Sequence, residues 1–123
     1  TLHKYHLEAT IAYWHTVRQD TVPKWENILL LYDQLLGLDY SPIAALNRTF
    51  ALAKVKGNAI ALEAALTLNL PENRFYHILL GELYTGLDDV AARMHFETAL
   101  NMTNSAIEKD QIMKRMGPLC HLN

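Results

Sequence analysis

The sequence predicts an all-α protein of about seven helices that pack as antiparallel pairs. Helix start and stop residues recur at short intervals, and the apolar residues between them follow helical spacing. Alternating apolar and polar runs rich in β-branched residues, which would indicate strands, are absent from the sequence. With 123 residues, half of them apolar, the chain is expected to form a single domain over residues 1–123.

The predicted helices lie between capping residues and helix terminators. Ser, Thr, Asp and Asn satisfy free N–H groups at a helix start, Pro is tolerated in the first turn, and Gly or Pro ends a helix. These signals predict helices over residues 2–17, 23–36, 42–56, 58–70, 72–85, 88–102 and 105–116.

The first two helices are predicted from an apolar stripe and from a proline. Leu7, Ile11 and Trp14 lie at helical spacing on the first helix. Pro23 opens the second helix, and Gly37 is expected to stop it.

The third and fourth helices are predicted to follow each other closely. Ser41 is expected to cap the third, which Pro42 begins and Gly57 ends. Asn58 is the expected cap of the fourth, and Pro71 prevents its continuation.

The last three helices have glycine and acidic boundary signals. Gly86 is expected to close the fifth helix, and Asp88 or Asp89 to place negative charge at the start of the sixth. Ser105 and Glu108 have the spacing of a capping box for the seventh.

A three-residue pattern recurs on every second helix. Its copies are Ile28-x3-Tyr32-x2-Leu35, Ala61-x3-Ala65-x2-Leu68 and Ala92-x3-Phe96-x2-Ala99, at offsets of 33 and 31 residues. Leu80-Gly81-x2-Tyr84 precedes the third copy. Both the period and the alternation of small and aromatic residues are typical of tetratricopeptide repeats, whose paired helices stack side by side. An irregular helical bundle is the alternative.

Composition and charge exclude several functional classes. The net charge of −2 gives no basic excess for nucleic acid phosphates, so direct nucleic acid binding is not expected. One cysteine, Cys120, excludes a disulfide framework and favours the cytoplasm. No apolar run reaches the ~20 residues of a membrane span. The chain opens on Thr1 without an initiator Met, so we interpret it as part of a longer protein.

Several blocks of the sequence resemble one protein family. These are Tyr5–Thr16 (YHLEATIAYWHT), Trp25–Asp33 (WENILLLYD), Ser41–Lys54 (SPIAALNRTFALAK), Leu80–Tyr84 (LGELY) and His95–Leu100 (HFETAL). They are similar to the long C-terminal extension of a group of extracytoplasmic-function RNA polymerase sigma factors. The most specific block is SPIAALNR, since Leu46-Asn47-Arg48 is not dictated by helix formation alone. Family members usually have Gly-Pro where this chain has Gly57-Asn58.

The resemblance implies a tetratricopeptide-like domain behind two DNA- and polymerase-binding sigma regions, which it regulates in place of a separate anti-sigma protein. The implied partners are those sigma regions and RNA polymerase. Nothing in the chain resembles the sigma regions themselves, so promoter recognition is not expected of these residues.

The sequence supplies no recognisable catalytic or metal site. His3 and His6 lie three residues apart, but two ligands do not make a zinc site, and no metal or other cofactor is expected. His15, His77 and His95 are expected to pack at helix interfaces with one ring nitrogen hydrogen-bonded.

Cys120 has His121 beside it, but adjacent residues near a chain end have no rigid scaffold for nucleophilic catalysis. No G-x-S-x-G motif and no phosphate-binding glycine loop occur in the sequence. We therefore expect a protein that is not an enzyme.

Repeat mapping places candidate partner-binding residues in a concave groove formed by the first helix of each pair. These residues are Asn47, Arg48, Lys54, Glu82 and Tyr84. Asn47 could instead fasten a helix end within the fold. Two functional alternatives remain open: a small-molecule sensor using Asn47, Arg48 and Tyr84, and a structural module that forms a homodimer through its first helix.

Overall fold

The structure is a computed structural model that describes residues 2–117, and within that range the fold is all-α. The predictions for Cys120 and His121 lie outside the described residues. The helices are α1 (Leu2–Thr16), α2 (Val22–Leu38), α3 (Pro42–Lys56), α4 (Asn58–Leu68), α5 (Arg74–Tyr84), α6 (Asp89–Met102) and α7 (Ala106–Met116). The predicted fold class and helix number are confirmed.

The described residues form two compact units, with the boundary between Ala61 and Leu62. In the first unit, α2 packs against α1 and α3; in the second, α6 packs against α5 and α7. Loops of three to five residues join these neighbours, so consecutive packed helices run antiparallel.

The first unit has its core between α1, α2 and α3. Leu7 and Ile11 of α1 contact the buried face of α2, which is Trp25, Ile28, Tyr32 and Leu35, and α3 adds Ala44 and Ala51. Leu7 and Ile11 confirm the predicted stripe of the first helix, on which Trp14 is partly buried.

The second unit has its core between α5, α6 and α7. Ala92, Phe96 and Ala99 of α6 pack with Ile112 and Met116 of α7. Eight of the nine pattern residues on α2, α4 and α6 are buried, and the ninth, Leu68, is partly buried. The recurrent pattern therefore marks core positions.

Most predicted helix boundaries are confirmed, because the capping side chains act as expected. Ser41 and Ser105, the predicted caps of α3 and α7, each accept a hydrogen bond from a backbone N–H in the first turn. Thr21 and Asp88 do the same at α2 and α6, where no side-chain cap was predicted. Gly57 and Gly86 have the positive φ angles, 94° and 87°, that favour glycine at helix ends.

The prediction that Gly37 stops the second helix is wrong. The helix continues through Gly37 to Leu38, and the Asp39 N–H closes it on the Leu35 carbonyl at 2.9 Å. A helical glycine costs only about 1 kcal/mol relative to alanine, so one near a helix end does not terminate it.

The fourth and fifth helices differ from prediction at their ends. Asn58 is the first residue of α4 and not its cap; the carbonyl of Gly57 accepts the first bond, from Ala61. The helix ends at Leu68, because Asn69 turns the chain with a φ of 47°. The next helix begins at Arg74, where Asn73 caps it, and not at Glu72.

The predicted capping box of the seventh helix is only half formed. Ser105 Oγ accepts from the Glu108 N–H at 3.3 Å, as expected. The Glu108 carboxylate instead accepts from Thr103 Oγ1 at 2.7 Å and Arg74 Nε at 3.0 Å. These bonds hold the pKa of Glu108 below its usual value and connect α7 to α5.

Candidate functional site

A cleft of about 430 Å³ opens in the first unit between α1, α2 and α3. Its floor is apolar and includes Ile11, Leu35 and Ala44, which belong to the core of the unit. Its remaining lining residues are Lys4, Glu8, Ala12, His15, Tyr32, Asp39, Ser41, Ile43 and Asn47. The cleft therefore combines apolar contact area with charged and amide groups.

One end of the cleft carries three charged side chains. Lys4 of α1 forms an ion pair with Asp39, at the end of α2, with Nζ and Oδ2 2.5 Å apart. The hydrogen bond and the charge of Asp39 raise the pKa of Lys4, and Glu8 raises it further. The same contact lowers the pKa of Asp39. Lys4 and Asp39 are therefore both ionised at neutral pH.

The wall of the cleft carries a tyrosine and an amide. Burial raises the pKa of the Tyr32 hydroxyl, and the neighbouring Asn47 amide offsets part of that rise. Tyr32 is buried and Asn47 is exposed. Asn47 lines the cleft together with Tyr32. Its partner-binding role and the alternative, that it fastens a helix end within the fold, both stay predictions.

Two other predicted site residues of the first unit lie outside the lining. Arg48 is half-buried and pairs with Asp33 of α2, with Nε and Oδ1 2.6 Å apart. The Lys54 ammonium lies 5.6 Å from the ring centre of Trp25 and 5.3 Å from that of Phe50. Both contacts tie α3 to its own unit, and a partner-binding role for these residues stays a prediction.

Glu82 and Tyr84 lie in the second unit. The Glu82 carboxylate pairs with Arg115 of α7 at 2.5 Å. The Tyr84 ring stacks on His95 of α6, with centres 5.5 Å apart and planes within 4°. A partner-binding role for these two residues also stays a prediction.

His77 and His95 form a contact that fixes ring tautomers. His77 Nε2 lies 2.8 Å from the Pro71 carbonyl oxygen, so Nε2 carries the proton. With its proton on Nε2, His77 offers Nδ1 as the acceptor for Nδ1–H of His95 at 3.1 Å. Burial and the neighbouring His77 lower the pKa of His95.

The predicted packing of the histidines is confirmed for His77 and His95. His15 differs, because it is exposed at the cleft and lies edge-on to the Trp25 ring, with centres 6.1 Å apart. Partial burial and the charge of Lys24 lower its pKa.

Between residues 2 and 117, no three His, Cys, Asp or Glu side chains are grouped in a way that would hold a metal ion. In that same range no helix combines the length and the apolar character needed to cross a membrane.

Four residues of the cleft lining were not predicted from the sequence as site residues, namely Lys4, Glu8, Tyr32 and Asp39. Lys4 and Glu8 lie next to the apolar stripe of Leu7 and Ile11 on α1. Their helical spacing could therefore have indicated that they border the apolar floor. No sequence pattern indicates the pairing of Lys4 with Asp39, because this contact depends on how α1 packs against the end of α2.

No protein-family model matches the chain. An uncharacterized protein of Rhizobium meliloti (strain 1021) is 33% identical over 119 residues. The match covers 94% of this chain and 28% of that protein, so the chain spans little more than a quarter of its relative's length.

Proposed function

We infer that the chain is a non-catalytic regulatory domain of an extracytoplasmic-function RNA polymerase sigma factor. In this proposal it modulates transcription initiation in the cytoplasm through contacts with the sigma regions, the polymerase or a partner protein. Its helices pair as in tetratricopeptide repeats, and the surface they offer binds protein.

One observation carries the proposal. Two of the sequence blocks that resemble the sigma-factor extension, one of them the most specific, lie on α2 and α3, and polar side chains join them. Arg48 pairs with Asp33 at 2.6 Å, and the Asn47 amide lies close enough to Tyr32 to influence the pKa of its hydroxyl. Helix formation alone does not explain the polar residues Asp33, Asn47 and Arg48 of these blocks. Their contacts between α2 and α3 support treating the two blocks as one motif.

The packing of α5 against α6 supports the tetratricopeptide-like part of the proposal. In that repeat, small residues let paired helices approach closely, and an aromatic residue fills the space beside them. Gly81 of α5 and Phe96 of α6 are in such close contact. The small residues Ala92 and Ala99 flank Phe96 and are fully buried.

The length of the Rhizobium meliloti protein also fits the proposal. A regulatory domain fused to two sigma regions is expected to match only part of a longer protein, and the match covers 28% of that relative. The cleft supplies a surface for contact, since its charged and amide groups surround an apolar floor.

Transcription by RNA polymerase with the full-length factor tests the proposal. We expect removal of this domain to change promoter-specific transcript yield several-fold. Asn47 is exposed and is the position chosen for a point substitution. Asn47→Ala should change the transcript yield, and thermal unfolding should show that the variant remains folded. Asn101→Ala, at an exposed position of α6, is the matched control. Equal yields with and without the domain would contradict the proposal.

A further inference from the structure

The cleft of the first unit has the length of a short extended peptide. Along α1 it runs from Lys4 to His15, which is about 16 Å at about 1.5 Å per residue. An extended chain rises about 3.3 Å per residue, so the cleft spans about five of its residues. The apolar floor at Ile11 lies about two turns beyond Lys4.

The charge of the lining favours a cationic occupant. Lys4 contributes +1, and Glu8 and Asp39 contribute −1 each, so the three sum to −1. The lowered pKa of His15 keeps that side chain neutral at pH 7. A guanidinium or ammonium group beside the two carboxylates would balance the remaining charge.

The Asn47 amide adds a group suited to a peptide backbone. A side-chain amide has two N–H donors and a carbonyl acceptor, and Asn47 is an exposed residue of the cleft lining. A peptide unit offers the complementary N–H and C=O groups.

The openness of the cleft argues for a protein segment over a small molecule. Half of its twelve lining residues are exposed, namely Glu8, Ala12, His15, Asp39, Ile43 and Asn47. Small-molecule sites usually enclose about 70–90% of the ligand surface. A shallow cleft instead suits an extended chain that keeps one face in solvent.

We propose that the cleft binds an extended segment of about five residues from the partner protein, with an Arg or Lys side chain on Glu8 and Asp39. An apolar side chain two positions along the segment contacts Ile11, Leu35 and Ala44, because alternate side chains of an extended chain share a face. This inference rests on the proposed function, since it identifies the class of partner segment.

Titration of the isotope-labelled chain, followed by NMR, tests the proposal with defined probes. The first probe is acetyl-Ala-Arg-Ala-Leu-Ala-amide, the second replaces its Arg by Glu, and the third is acetyl-arginine amide. We expect the first peptide to shift resonances of the lining residues and to bind at least tenfold more tightly than the other two. Equal binding of the two peptides would overturn the charge assignment. Equal binding of acetyl-arginine amide would show a small-cation site and overturn the peptide assignment.

Substitutions on exposed positions of α1 locate the binding. Ala12→Trp fills the cleft from an exposed position and should weaken binding of the first peptide at least tenfold. Ala9→Trp, on the same helix but outside the lining, should leave binding unchanged. Glu8→Gln should weaken binding about threefold, as expected for loss of one exposed ion pair, and Glu26→Gln should not. Equal effects of Ala12→Trp and Ala9→Trp would contradict the proposal.

Association with the sigma regions separates failure of this inference from failure of the proposed function. If the chain binds the sigma regions and Ala12→Trp does not weaken that complex, the cleft is not the site that binds the partner segment. The proposed regulatory function then stands. If the chain binds the arginine peptide in the cleft but not the sigma regions, the peptide-binding site stands and the sigma-factor assignment fails.

Discussion

The Phe96 ring occupies the place where a side chain at position 81 would stand. A Cβ atom added to Gly81 would lie 2.8 Å from three carbon atoms of that ring, and the ring is 1% exposed. The absence of a side chain at position 81 therefore allows α5 and α6 to pack at their present separation.

Gly81→Ala should destabilise the protein despite the higher helix propensity of alanine. Overpacking of a close-packed core costs about 1–3 kcal/mol, which exceeds the gain of about 1 kcal/mol from replacing a helical glycine. Chemical denaturation measures the difference, and Phe96→Leu in the same chain should recover part of the loss by making room.

Gly37→Ala is the matched control for that substitution. Gly37 also lies within a helix, but apart from its chain neighbours and the adjacent helix backbone nothing lies within 4 Å of an added Cβ. We expect it to raise the free energy of unfolding by about 0.5–1 kcal/mol. Stabilisation by both substitutions would contradict the close contact between Gly81 and Phe96.

Asn73→Ala should cost about 1 kcal/mol, the usual loss for an N-cap. Its Oδ1 accepts from the N–H groups of Phe75 at 2.8 Å and Tyr76 at 3.4 Å. Glu72→Ala, one residue earlier, should change stability by less than about 0.5 kcal/mol. If Glu72→Ala lowers the free energy of unfolding in urea by more than Asn73→Ala does, the start of α5 is at Glu72, as predicted from the sequence.

A double-mutant cycle on Asp33 and Arg48 should give a coupling energy of about 0.5 kcal/mol. The pair is partly exposed, with side-chain exposures of 47% and 31%, and such pairs contribute about 0.2–1 kcal/mol. The cycle uses Asp33→Asn and Arg48→Met, alone and together. Additive effects would indicate that the contact between α2 and α3 does not stabilise the unit.

The stability of the protein should fall as the pH drops below about 6.5, the ordinary histidine value. Burial and His77 lower the pKa of His95, so the unfolded chain binds its proton at a higher pH than the folded chain does. The contribution of His95 to the free energy of unfolding is therefore present above about pH 6.5 and is lost as the pH falls towards the lowered pKa of the folded state.

Denaturation between about pH 7.5 and about pH 5.5 checks this dependence. His95→Gln should flatten the curve, leaving the part that His15 contributes through its own lowered pKa. A steeper decline in the His95 variant would contradict the assignment.

The fold was largely predictable because its signals are local. Ser41, Asp88 and Ser105 cap their helices through side chains close to the groups they bind, and the repeated pattern marks core positions. Gly37 was misread because a weak local preference yields to continued hydrogen bonding near a helix end.

The site was less predictable because it depends on contacts between helices. Asn47 was identified from its place in an apolar helix, and it lines the cleft. The ion pair of Lys4 with Asp39 and the contact of His77 with His95 join residues far apart in the chain. No local spacing encodes such pairs.

Direct binding of the chain to the sigma regions tests the central claim. The two are expressed separately, one is labelled with a fluorophore, and anisotropy is measured as the other is added. The account predicts saturable binding at micromolar concentration, with Asn47→Ala weaker and Asn101→Ala unchanged. No change in anisotropy up to that concentration, with both partners folded, would contradict direct contact between this domain and the sigma regions.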